Sequence, residues 1–254
     1  MKQMKFFLVA LMAVVMGMSV TSCMNGDDNT QVNDLPVLGK VKDSFLGLTF
    51  TSLDGFTFKS KNTVEGTTNF MPGDFIVATC SYDTEVDIDY TTNTINATIG
   101  STEKISGNAV YSTTKAEDEG EHPSYVSDRG VISITDLTPA MIDNYNLLVP
   151  IQYFFEKIAS HTFFMVYYSD ENELKGKTDL KLFLRHTSTE EKAKETYRAF
   201  SYRVFDIRSA IEAYKNANEG RYPSNITIVS EANSSNNDVP KTTTTTPVTY
   251  TFRE

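Results

Sequence analysis

Asp179-Leu180-Lys181-Leu182-Phe183-Leu184-Arg185-His186 is the stretch from which the fold is read. In an extended chain Leu180, Leu182 and Leu184 point one way while Lys181, Phe183 and Arg185 point the other, the period of two that a strand imposes. The same texture runs outward from it. From Phe45 onward, short segments rich in Val, Ile, Thr, Phe and Tyr are broken by Gly, Pro, Asn and Asp, and helical periodicity is scarce. The expected fold class is therefore mainly β.

A chain of 254 residues fits one large or two small domains, and its texture favours two. In the first half, strands are expected at 45–51, 55–60, 74–82, 86–90, 94–100 and 104–111. Leu53-Asp54-Gly55 supplies a tight turn between the first two, because Gly accepts the positive φ that hairpin turns demand, and Pro72-Gly73-Asp74 opens the third in the same way. Strands so short and closely spaced over 37–112 fit a small closed barrel, in which closure removes exposed edges. Lys115-Ala116-Glu117-Asp118-Glu119-Gly120-Glu121-His122-Pro123 then lacks any large apolar residue, and 113–129 is expected to be an acidic linker or long loop. Beyond it, over 130–254, strands are expected at 130–134, 161–169, 179–186, 198–206, 224–230 and 247–252. Two short helices are expected, one opening at Thr138-Pro139, the other at a capping box Ser209-Ala210-Ile211-Glu212 and ending near Gly220. Thr189 to Glu195 is expected to widen a hairpin turn, and the Thr-rich stretch 242–246 to lead into a final strand.

The start of the chain carries an address. Lys2 and Lys5 precede the apolar run Phe6 to Met16, and Val20-Thr21-Ser22-Cys23 follows, the arrangement of a bacterial lipoprotein signal. Residues 1–22 are expected to be removed and Cys23 to be lipidated, with 23–36 as a polar tether. Resemblance to lipoproteins implies two or more acyl chains, which anchor stably where one holds only reversibly. Asp27-Asp28, just after the cysteine, resembles the acidic export signal that sends some outer-membrane lipoproteins of Gram-negative bacteria to the cell surface. Surface exposure is the expectation, with a solvated tether on the periplasmic face as the alternative.

Removing residues 1–22 takes away two lysines and no acids, leaving 21 basic against 33 acidic residues, a net charge of −12. Such a chain lacks the basic surface that nucleic acid requires, so no nucleic-acid partner is expected. With Cys23 acylated only Cys80 remains, so no intramolecular disulfide can form. Cys80 lies in the apolar run Phe75 to Cys80 and is read as a buried small hydrophobe.

The strands resemble a known family. The Asp54-Gly55 hairpin, the Gly73-Asp74 turn and Phe75-Ile76-Val77-Ala78-Thr79-Cys80-Ser81-Tyr82 resemble the N-terminal OB-like domain of NigD-like lipoproteins. His161 to Tyr168, Leu180 to His186 and Tyr202 to Asp206 resemble that family's C-terminal β-sandwich, in which an L-x-L-R-H strand is the most recognisable piece. The resemblance implies a small OB-like β-barrel over 37–112 followed by a β-sandwich domain over 130–254 with one or two short helices. It also implies an accessory or immunity role beside a bacteriocin. Ile151 to Ala159 and the Thr-rich end depart from the family pattern.

No catalytic constellation is apparent. Among His122, His161 and His186 none stands at metal-binding spacing, and His186 is read as a structural or surface residue. There is no nucleophile elbow, zinc-protease motif or phosphate-cradling loop. Asp83, Glu85, Asp87 and Asp89 alternate with Thr84, Val86 and Ile88, which on a strand sets four carboxylates on one face. A solvated face is the reading, with calcium or a cationic partner as alternatives. Tyr153, Phe154, Phe155, Phe163, Phe164, Tyr167 and Tyr168 are read mostly as core. The chain is thus expected to be a non-catalytic envelope lipoprotein with no cofactor and no metal. Its expected contacts are the membrane through Cys23 and a protein or peptide partner, with glycan or small-ligand binding as the alternative.

Overall fold

The computed structural model describes residues 30–66, 69–134 and 138–252. Residues 1–22, Cys23 and the Asp27-Asp28 pair lie outside the described residues. The chain divides into two compact units between Ser106 and Gly107.

The first unit contains β1 (Gln31–Asp43), β2 (Thr49–Ser52), β3 (Thr57–Ser60), β4 (Phe75–Asp83), β5 (Ile88–Asp89) and β6 (Thr94–Lys104), in the sheet order β3-β2-β1-β4-β6-β5. A parallel pairing of β3 with β6, from Thr57 beside Thr94 to Ser60 beside Ala97, returns the sheet to its beginning. This closes a five-stranded, OB-like barrel, to which β5 adds a short flank. Closure depends on the long β1, which is antiparallel to β2 on one side and β4 on the other. Its register breaks between Val32 and Leu35 and between Val41 and Asp43, and such bulges bend a strand and tighten its twist. In the first break Asp34 takes a φ of 52° and its N–H donates to Ser81 Oγ at 2.9 Å. Between the breaks, Gly39 leaves room for Phe50: a Cβ there would stand 2.8 Å from Thr51 O and collide with the Phe50 ring. Phe50 and Phe58 stack at 5.2 Å in a core shared with Leu48, Ile76, Cys80 and Ile99. Gly55 and Gly73 take the positive φ values that their turns require.

The second unit contains two sheets. One has the order β14-β13-β11-β10-β7 and the other β12-β9-β8. Their strands are β7 (Val110–Thr113), β8 (Ala140–Met141), β9 (Asn146–Phe155), β10 (His161–Tyr168), β11 (Asp179–Ser188), β12 (Tyr197–Asp206), β13 (Asn225–Ser230) and β14 (Thr244–Thr249). Leu180, Leu182 and Leu184 of β11, Met165 of β10 and Ile226 and Ile228 of β13 face Leu147, Val149, Ile151 and Phe205 of the smaller sheet in one core. The unit is a β-sandwich. Among the described residues three short helices accompany it: α1 (Lys115–Asp118), α2 (Glu171–Leu174) and α3 (Arg208–Ala217). Ala210, Ile211 and Tyr214 of α3 close one margin of the core.

Several expectations are corrected. The polar tether of 23–36 gives way to strand from Gln31, because Leu35 packs against the barrel core to which Val37 belongs. The strand at 104–111 is split: β6 ends at Lys104, and β7 joins the second unit in parallel with β10. The unit boundary consequently precedes the acidic stretch 113–129 instead of falling within it. Segment 130–134 makes only isolated bridges, Val131 to Ala232 and Ser133 to Gln152. No helix opens at Thr138-Pro139, since Ala140 pairs with Leu148 instead. α3 begins at Arg208 with Ile207 as its uncapped N-cap; Asp206 Oδ1 accepts the Arg208 N–H at 3.0 Å, and Ser209 is inside the helix. It ends where expected, with Gly220 at φ 81° donating its N–H to Lys215 O at 2.8 Å. Thr189 to Glu195 does not widen a hairpin: β11 and β12 belong to different sheets, and the segment crosses between them through a 3-10 turn at Lys192–Lys194.

Candidate functional site

The leucine row of β11 continues inward to His186. In the antiparallel ladder His186 lies opposite Phe163 of β10, so His161, two residues earlier on the same face, is its diagonal neighbour. The rings meet: His161 Nδ1 and His186 Nε2 are 2.9 Å apart. Phe163 stacks on His186 at 4.4 Å, and the Tyr153 ring lies 5.0 Å from His161 and 5.6 Å from His186. Two histidines far apart in sequence, read separately there, form one buried pair.

On the other side of His186, Nδ1 stands 3.2 Å from Gly130 O. A carbonyl only accepts, so the tautomer is assigned with the proton on Nδ1. Burial, aided by the neighbouring His161 and Arg129, pushes the His186 pKa down to about 3, so the ring is neutral and its Nε2 is an acceptor. His161 Nδ1–H therefore donates to it. Burial also holds the His161 pKa below its usual value despite Glu195 and Glu190 nearby. Neutral and with its proton on Nδ1, His161 turns the bare lone pair of Nε2 toward Glu190, whose Oε2 is 3.5 Å away.

Glu190 and Glu195 reach this place because their connection crosses from one sheet to the other beside His161. Arg129 Nε donates to both oxygens of Glu195 at 2.8 and 2.9 Å, and an Arg129 terminal nitrogen donates to Glu190 O at 2.6 Å. Asn237 Nδ2 also donates to Glu195 Oε2. The segment bearing Arg129 is laid tightly against its surroundings. The N–H groups of Asp128 and Arg129 point to His186 O, and the Gly130 N–H donates to Asn237 O at 2.9 Å. A Cβ on Gly130 would stand 2.7 Å from Asp238 O, so this passage needs glycine. The acidic stretch expected as a linker thus ends in a buried ion pair. Its beginning is docked as well: Asp118 of α1 accepts from Arg185 and from Tyr168 Oη, each at 2.8 Å.

The other sequence candidates are placed separately. His122 is exposed. The four carboxylates at 83–89 share no strand face, because β4 ends at Asp83, a turn follows, and β5 begins only at Ile88. Each of three carboxylates serves local backbone or side chains: Asp83 Oδ1 accepts the Glu85 N–H, Asp87 pairs with Lys61 at 2.7 Å and accepts the Asp83 N–H, and Asp89 accepts from Thr91 and Thr92. Those hydrogen bonds hold all three below the usual carboxylate range. Cys80 is fully buried in the barrel, and burial pushes its thiol up to about 12. Of the seven aromatics read as core, Tyr153, Phe154, Phe163, Phe164, Tyr167 and Tyr168 are buried and Phe155 is half-buried.

Comparison with known proteins adds to this picture. No protein-family model matches the chain, and no curated protein matches its sequence. Among solved structures it is similar to a candidate lipoprotein from Bacteroides fragilis, with 21% identity and a TM-score of 0.69 over 88% of this chain and 100% of that one. It is similar also to a protein of unknown function, DUF1344, from Bacteroides vulgatus, with 10% identity and a TM-score of 0.54 over 85% and 90% of the two chains. They share the fold. A NigD-like immunity protein from Bacteroides caccae aligns at 12% identity and TM-score 0.48 over 84% of this chain and 91% of that one.

Proposed function

We propose that this chain is a non-catalytic lipoprotein of the cell envelope, displayed at the surface, that acts by occupying a protein or peptide partner in bacteriocin protection or production. The observation that carries the reading is the apolar rim of the barrel. Phe45 and Leu46, between β1 and β2, are 90% and 89% exposed, and Met71, before β4, is 70% exposed. The two loops adjoin, since Ser44 Oγ donates to Phe70 O at 2.8 Å and the Gly73 N–H to Val41 O at 2.9 Å. Large apolar side chains gathered on a surface mark an interaction site more than scattered ones do. The lipoprotein signal ending at Cys23, the similarity to a candidate lipoprotein and the resemblance of the strands to NigD-like lipoproteins all support the envelope setting.

The test is complementation. Deleting the gene should sensitise cells to a co-encoded secreted peptide or lower that peptide's output, and the wild-type chain should restore both. A Phe45→Ser, Leu46→Ser double variant, present in the membrane at the same level, should not. Cys23→Ala should lose lipid labelling and restore only in part, because the anchor raises local concentration. Full restoration by the double variant would remove the rim from the reading. An unaltered deletion phenotype together with saturable binding of a surface glycan to the purified protein would replace the reading with the glycan-binding one.

A further inference from the structure

We propose that His161, Glu190 and Glu195 form a binding site for a zinc-class divalent cation inside the sandwich unit. Three observations converge on it. First, one nitrogen or oxygen from each of these residues lies within 4.8 Å of those from the other two. Second, two acceptors there are unsatisfied: His161 Nε2 and Glu190 Oε1 are buried without a hydrogen-bond partner, while Glu190 Oε2 accepts the Glu156 N–H at 2.9 Å; the side chains of His161 and Glu190 are 0% and 6% exposed. A buried acceptor left without a donor costs about 1–3 kcal/mol. Two such acceptors on adjoining side chains call for a positive centre beside them.

Third, the spacing suits a metal better than a proton. A charge-assisted N–H to carboxylate bond closes to about 2.7–2.9 Å, whereas His161 Nε2 and Glu190 Oε2 stand 3.5 Å apart. Two ligands bound at about 2.1 Å to a tetrahedral zinc stand about 3.4 Å apart. Imidazole with carboxylate is a zinc-class donor set; calcium and magnesium prefer oxygen alone. The surroundings are those of a metal ligand set as well. His161 Nδ1–H is held by His186, which is held by Gly130 O, so the ring is oriented with its second nitrogen free to coordinate. Arg129 and Asn237 grip Glu195 in the same way. Glu190 is the least enclosed of the three, and water would complete the coordination. A cation there ties the first residue of β10 to the connection that carries the chain from β11 to β12.

The experiment uses the full mature chain, freed of metal by chelation, and zinc chloride as the probe. Calorimetric titration should show one zinc bound per chain with micromolar or tighter affinity and a raised melting temperature, with calcium and magnesium giving neither. Glu190→Gln and His161→Gln should each weaken binding at least tenfold. Cobalt(II) added to the wild-type protein should develop the strong visible absorption of a four-coordinate nitrogen and oxygen site, a readout that depends on no variant. Absence of saturable zinc binding, weak six-coordinate cobalt absorption, or binding undiminished in both variants would overturn the site.

Discussion

Arg129 shows how much one residue can hold. Its guanidinium donates to both oxygens of Glu195, whose side chain is fully buried and takes one more donor, from Asn237. Replacing Arg129 with Met keeps the bulk and strands a carboxylate, a situation that costs about 3–5 kcal/mol. Urea unfolding of Arg129→Met should show a loss of that size, and a loss under 1 kcal/mol would mean that water or Asn237 alone satisfies Glu195. Cys80 gives a residue-scale prediction with a pH sign. Its folded pKa is raised by burial to about 12, above that of the unfolded chain. The thiol's contribution to stability is thus fully present below the unfolded pKa near 8.5 and is lost as pH rises toward 12. Between pH 9 and 11 the wild-type protein should lose stability more steeply than Cys80→Ala, by up to about 1.4 kcal/mol per pH unit. Parallel slopes for the two proteins would show the thiol to be ionised in the fold. Sequence alone marked Cys80 as buried through its apolar neighbours. It could not join His161 to His186, since that pairing is a product of strand register and no local spacing encodes it.

At the scale of elements, alternation was legible and its absence was not. β11 and β13 declare themselves by period and the start of β4 by its apolar run, whereas β9 (Asn-Leu-Leu-Val-Pro-Ile-Gln-Tyr-Phe-Phe) is buried along most of its length and so shows no alternation. Pro150 within it argues against a central strand, yet β8 covers β9 only at Leu147 and Leu148, leaving a stretch of β9 where an edge residue is tolerated. β1 hid for the opposite reason: its first half is polar and its register is broken, so the strand reads as a tether. The acidic stretch misled through composition. Charge suggested solvent, but Asp118 is taken by Arg185 and Tyr168, and Tyr125 stacks on Tyr111 at 4.6 Å. Asp118→Asn should weaken the Arg185 contact and free α1 from the sheet. Limited trypsin digestion should then cut after Lys115 several-fold faster than in the wild type while the melting temperature falls by a few degrees. An unchanged cleavage rate would show that the capping box of Thr114 and Glu117 and the contacts of Lys115 with Asp170 and Glu173 hold the segment without Asp118.

For the molecule as a whole, the two-unit plan was readable from texture, while the position of the boundary was not, because β7 looks like one more barrel strand until its partner is known. Residues 107–254 carry a complete core of their own. Expressed alone they should unfold in one cooperative transition with dispersed amide resonances, whereas a fragment starting at residue 130 should not, since it lacks β7, α1 and Arg129. Cooperative folding of that shorter fragment would show these pieces to be dispensable. The placement of β1 has a mechanical consequence. It is the first described strand, and it is bonded along one side to β4 from Gln31 to Lys40 and along the other to β2 from Gly39 to Asp43. A force applied at Gln31 along the axis of β1 loads the hydrogen bonds on both of its sides together in shear and does not peel them one after another. The barrel therefore resists extension along β1, and its lifetime under a steady force applied in that direction is set by the rate at which whole ladders fail.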